Sequence, residues 1–246
     1  MIKAIIYLTK LIVVIFITLL FSSCMYDINL GNHNKGSGNI TTETRTVSGD
    51  FKKIDVSYGI EVEVEQSESK SITVEADDNL QKYISIKVEN GVLVIDSKEG
   101  YNSTKTPLVS VKMPIISGLI ASSGSEIKSK NTLITDNIEV KSSSGSEINI
   151  TVEADAISLE TSSGSNIKAR GKALKLETSS SSGSEIDAEK LMSNEVSSQS
   201  NSGSNTSVSP ILSLKATASS GSVISYHGVP KTVVKNTSSG GSIDKE

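Results

Sequence analysis

An all-β fold, a single-stranded right-handed parallel β-helix (β-solenoid) with coils of about nineteen residues, is what this sequence predicts. Three observations predict it. A Ser-Ser-Gly-Ser motif returns on glycines 124, 145, 164, 183, 203, 221 and 240, at spacings of 21, 19, 19, 20, 18 and 19 residues. An apolar row precedes these glycines: Leu119, Val140, Leu159, Leu176, Val196, Leu214 and Val233. Between the motifs apolar residues alternate with period two, as in Ile148-x-Ile150-x-Val152, and the helical period is missing.

The chain opens on a targeting pattern. Lys3 and Lys10 precede the apolar run from Leu11 to Phe21, and Ser22, Ser23 and Cys24 follow. A basic start, an apolar stretch and small residues before a cut read as a secretory signal over residues 1–23. Cys24 is the only cysteine, and its place resembles the lipid-modified first residue of a mature bacterial lipoprotein. With that thiol used for lipid no disulfide can form, so packing and the backbone ladder must hold the fold. Residues 24–44 are Gly- and Asn-rich without a period and read as a flexible tether. The domain then runs over 45–246, with irregular opening coils at 45–116 and Ser-Ser-Gly-Ser coils at 117–246.

The opening coils are rich in strand signals. Phe51, Ile54 and Val56 lead through Gly59 into Ile60, Val62 and Val64, and Ile84, Ile86 and Val88 precede the tight-turn pair Asn90-Gly91. Asp77, Asp78 and Asn79 precede a short segment that reads as one capped helical turn. In the later coils the apolar row lies five residues before the first three glycines and seven before the last four. A two-residue change keeps the same face inward, so the later coils read as lengthened. Ile138, Ile157, Leu174 and Leu212 each stand two positions before a member of the row and read as inward partners. One such strand cannot bury its apolar side alone. Stacking equivalent strands in parallel does so, at about 4.8 Å per coil, for a rod on the order of 34 Å over the seven coils.

Composition excludes several functions. The net charge of -4 gives no basic footprint for nucleic acid. Aromatics are 4% and tryptophan is absent, a poor supply of rings for stacking on sugars or bases. His33 and His227 are the only histidines and stand far apart, so a histidine triad or metal site is not expected. No cofactor, metal or catalytic residue is expected, and the chain does not read as an enzyme. One chemical pattern stands out: Glu126, Glu147, Asn166, Glu185 and Asn205 occupy equivalent places after the Gly-Ser step. They would form a surface stripe, either a solvated face that discourages sheet-to-sheet association or a weak calcium site; Asp77, Asp78 and Asn79 share the second alternative. The serines likewise read either as a structural ladder bonding to turn backbone or as a hydroxyl-rich ligand surface.

The order Arg45-x-Val47-x-Gly49-x-Phe51-x-x-Ile54-x-Val56, Gly59-x-x-Val62-x-Val64, Ala76-Asp-Asp-Asn-Leu80 and Asn90-Gly-x-Leu93-x-Ile95 resembles the GIN-domain family of adhesin-head proteins, common as lipoproteins in Bacteroidetes. The resemblance spans residues 45 to 243 and implies a right-handed β-helix with an adhesive role. Its unusually repetitive corners prevent carrying over any ligand site.

The expected protein is therefore a cell-envelope lipoprotein held in a membrane, the outer membrane by preference, through Cys24. Its expected partner is a surface protein or a glycan, with homo-oligomers of the rod as a further option. A periplasm-facing structural or stress scaffold is the alternative, since no acidic run after Cys24 marks the outer face. A carbohydrate-active β-helix enzyme built on Glu126, Glu147 or Glu185 is the remote one.

Overall fold

Alternating β-branched residues with tight turns between them make strands that can bury only one face, and the chain solves this by stacking coil on coil. The structure, a computed structural model, describes residues 34–246 together with Lys10 and Leu11. The predicted secretory signal otherwise lies outside the described residues, as do Cys24 and the first part of the tether. Among the described residues no helix is long and apolar enough to cross a membrane.

In chain order the strands are β1 (Asn34–Lys35), β2 (Ile40–Thr44), β3 (Lys53–Val56), β4 (Glu61–Gln66), β5 (Ser71–Asp77), β6 (Ile84–Glu89), β7 (Val92–Ser97), β8 (Tyr101–Asn102) and β9 (Leu108–Met113). Then come β10 (Gly118–Ala121), β11 (Glu126–Ser142), β12 (Glu147–Thr161), β13 (Asn166–Ser180), β14 (Glu185–Ser200), β15 (Asn205–Ala218), β16 (Val223–Tyr226), β17 (Thr232–Thr237) and β18 (Ser242–Lys245). From β10 onward every pairing is parallel and joins one coil to the next. The result is a parallel β-solenoid of about seven turns with roughly nineteen residues per coil.

The core is a set of columns. Ile127, Ile148, Ile167, Ile186, Thr206, Ile224 and Ile243 are register partners in successive coils, and all are buried. A second column is Ile138, Ile157, Leu176, Val196 and Leu214, all buried, whose last register partner, Val233, is exposed. A third is Leu119, Val140, Leu159, Thr178, Ser198 and Ala216, all buried, whose last register partner, Lys235, is exposed. The expected lengthening of the later coils is thereby corrected. The strand before each corner has two inward positions, and from β13 onward the large apolar residue occupies only the earlier one. Thr178 and Ser198 fill the later one, where the Thr178 hydroxyl donates to Ser198 Oγ at 2.8 Å. Leu174 and Leu212 are not inward partners: both are exposed, because the coil bends there and the alternation restarts.

The opening segment departs from the expectation of parallel coils. β3 and β4 stack in parallel under β10 and β11, and β7 and β9 in parallel under β3 and β4. β5 pairs antiparallel with β9, β2 with β5, and β6 with β7. These reversed strands lie beyond the first coils and close that end. The tether is corrected too: residues 34–44 carry β1 and β2, with Ile40 to Thr44 in register with Asp77 to Thr73. A polar stretch without apolar alternation still gains a full ladder when an exposed edge is offered to it.

The acidic triplet has a different role from the one expected. The short 3-10 turn Gln81–Tyr83 has Leu80 at its N-cap and no side-chain cap. Asp77 is instead fully buried. Its carboxylate accepts from Gly38 N–H at 2.8 Å, Thr104 N–H at 3.0 Å and the Thr104 hydroxyl at 2.7 Å. Asp78 accepts from Ser37, Asn39 and Asn79. Burial pushes the Asp77 carboxyl up, but these bonds outweigh it and hold the group below the usual carboxylate range. Together the acids staple the 36–39 loop to the domain.

Candidate functional site

Three surface features arise from the coil geometry. The first is the corner. In each Ser-Ser-Gly-Ser turn the second serine and the glycine both have positive φ, 53° and 72° at Ser123 and Gly124, the signature of a type I′ turn. Tyr58 and Gly59 form the same corner one coil earlier, with φ 66° and 67°. Each corner glycine from Gly59 to Gly221 donates its N–H to the next coil's corner, as from Gly124 to Ser144 O at 3.1 Å and from Gly221 to Ser239 O at 3.1 Å. The serine after the glycine points inward. Ser146 Oγ donates to Ala121 O at 2.8 Å, and Ser165 Oγ to Ser142 O at 2.6 Å. Farther along, Ser180, Ser200, Ser204 and Thr206 share one buried hydroxyl network. These inward serines satisfy turn backbone and are part of the fold. The serines left outside, such as Ser123 and Ser163, form a single file along a ridge.

The second feature is the predicted stripe. Glu126, Glu147, Asn166, Glu185 and Asn205 are neighbours in one ladder, which Glu61 extends on the opening side. Like charges side by side repel. The two asparagines interrupt the carboxylates, and Lys128 lies 2.7 Å from Glu126. Among the described residues no group of three or more His, Cys, Asp or Glu is placed to hold a metal ion.

The third was not seen in the sequence. A groove of about 700 Å³ runs across β11 to β15 at the bend opposite the Ser-Gly corners. One wall is the register row Ile134, Glu153, Lys172 and Met192. Its floor is small, Thr135, Ala154 and Ala173. The other wall comes from residues just beyond the floor: Asp136, Asp155, Leu174, Asn194 and Ile211. Ile134, Leu174, Met192 and Ile211 are 66%, 52%, 49% and 41% exposed. Apolar side chains gathered this openly on a protein surface are the usual feature of a contact site. Little in the sequence signals it, because Leu174 stands two positions before Leu176 and so fits the inward alternation.

Comparison with known proteins agrees with this architecture. The family model described as "Putative auto-transporter adhesin, head GIN domain" matches residues 50–230. No curated protein matches the chain. Among solved structures, a "putative adhesin" from Bacteroides fragilis is similar with a TM-score of 0.81 at 19% identity, covering 86% of this chain and 99% of that one. A "putative lipid binding protein" from Parabacteroides distasonis has a TM-score of 0.71 at 20% identity, covering 87% and 100%. A "putative adhesin" from Parabacteroides merdae has a TM-score of 0.67 at 23% identity, covering 87% and 99%. At these identities the three structures speak for the fold, and the family rests on the matched model. The chain belongs to the family of auto-transporter adhesin head GIN domains.

Proposed function

We propose that the protein is a cell-envelope lipoprotein, anchored through Cys24, whose solenoid serves as an adhesive or interaction module for a partner protein or glycan. The observation that carries the binding role is the exposed apolar groove along successive coils. Four large side chains stand open to solvent there, at a cost that a fold with no partner has no reason to bear. The family supports an adhesive role. The leader and Cys24 support export and lipid attachment. A regular rod presents repeated contacts at a fixed spacing, so many weak contacts sum to firm attachment.

The test is deletion of the gene, followed by attachment measurements and by protease or biotin labelling of intact cells. Lost attachment and surface labelling support the adhesin. Unchanged attachment together with protection of the protein on whole cells overturns it and leaves a periplasm-facing scaffold. Cys24→Ser should leave the leader uncleaved and the protein unlipidated, whereas globomycin should leave the leader uncleaved on a protein that still carries its first lipid.

A further inference from the structure

The groove carries more than hydrophobicity. Asp136, Glu153 and Asp155 stand together at its β11–β12 end, against Lys172 as the single cation of the lining. Lys172 Nζ lies 3.8 Å from Glu153 Oε1, so two carboxylates of that end keep no partner within the groove. Beyond Lys172 the lining is apolar or neutral: Leu174, Met192, Asn194 and Ile211. The groove is thus acidic at one end and apolar at the other. Its floor residues, Ala154 and Ala173, are too short to fill it.

This pattern selects among occupants. A polyanion, whether nucleic acid or an acidic headgroup, meets repulsion at the β11–β12 end. A sugar chain finds no aromatic ring in the lining. An extended protein segment fits both parts: basic side chains over the three acids, then apolar ones against Leu174, Met192 and Ile211. Five adjacent strands span about 19 Å, and an extended chain covers that with about six residues.

We propose that this groove takes an extended segment of a partner protein, basic at one end and apolar along the rest. The proposal rests on the reading of the solenoid as a binding module and names the partner's chemistry.

It is tested with the full-length protein in nanodiscs of zwitterionic lipid, with empty nanodiscs as the blank. The probes are two fluorescein-labelled peptides, a lysine pair followed by alternating leucine and alanine, and the same peptide with a glutamate pair. Anisotropy should show preferential binding of the lysine peptide. Leu174→Glu should weaken it by about tenfold, and Asp155→Lys should reverse the preference. Ile115→Glu, at an exposed apolar residue outside the groove, should leave it unchanged. Equal binding of the two peptides overturns the proposal, as does binding that Leu174→Glu leaves intact. Competition by a polysaccharide at the groove also overturns it, as does a dimer that Leu174→Glu dissociates, because the occupant is then a glycan or a second copy. Attachment of a deletion strain complemented with Leu174→Glu separates this idea from the broader one. If deletion abolishes attachment and Leu174→Glu restores it fully, the groove is wrong and the adhesin stands.

Discussion

The two ends of the solenoid are closed by different means. At the opening end the chain folds back on itself: β5 and β6 pair antiparallel with the outermost parallel strands, and β2 pairs with β5 in turn. Buried Asp77 locks this cap by gripping Gly38 and Thr104, far apart in the chain. At the other end β17 and β18 lie on the last coil with their outer edges unpaired among the described residues. Closure there is chemical. Lys235 takes the inward position that Ala216 holds one coil below. Its ammonium sits 4.6 Å from the centre of the Tyr226 ring and donates to Ile243 O at 3.0 Å. One end is covered by added strands, and at the other a charge stands where an apolar residue would invite another coil, on a strand that is exposed throughout. The lesson is that an open β edge can be blunted by one charged residue as well as by added strands.

The comparison can be broken most sharply at Asp77. Asp77→Ala deprives Gly38 N–H, Thr104 N–H and the Thr104 hydroxyl of their shared buried acceptor. It should lower stability by about 3 kcal/mol in chemical denaturation and strip hydrogen-exchange protection from β2 while sparing β12 to β14. Acid should act in the same direction. A carboxyl held below its unfolded value adds stability that is full above that value, about 3.9, and is lost as pH falls through the folded value. Asp77 and Asp78 are both held low, so protection factors of β2 should fall below about pH 4 before those of the central coils.

At the other end Lys235→Leu should change association more than stability. Concentration-dependent oligomers should appear in sedimentation velocity, and Lys235→Arg should stay as the parent. Oligomers that form equally in both would remove the blocking role. The smallest effect belongs between the ends, where neither closure acts. Ser163 holds φ 55° at the first central position of its turn, and asparagine tolerates that conformation better than serine. Ser163→Asn should therefore raise stability by a few tenths of a kcal/mol, read as a small upward shift in Tm.

Much of the coil was legible because each signal was local and repeated. Seven motifs fixed the corners, and period-two alternation named the inward columns from Ile127 to Ile243. Strand direction in the opening segment was not legible, since Ile84-x-Ile86-x-Val88 reads the same for parallel and antiparallel pairing. β2 was hidden because Thr41, Thr42 and Glu43 carry no apolar pattern, and its ladder depends on an edge supplied by β5. The role of Asp77 depends on partners 39 and 27 residues away, and a triplet of acids beside a turn points more readily to a cap. The stripe from Glu126 to Asn205 was readable as a register. The groove was not, because Leu174 fits the alternation and only the bend of the coil turns it outward.

Every Ser-Gly corner offers the same carbonyl on one side and the same N–H on the other, so successive coils are nearly interchangeable parts. Duplicating one of about nineteen residues would leave both closures untouched and move the far end outward by about 4.8 Å. The length of the solenoid is then a quantity that unequal recombination can adjust in uniform steps, with no new core to devise each time.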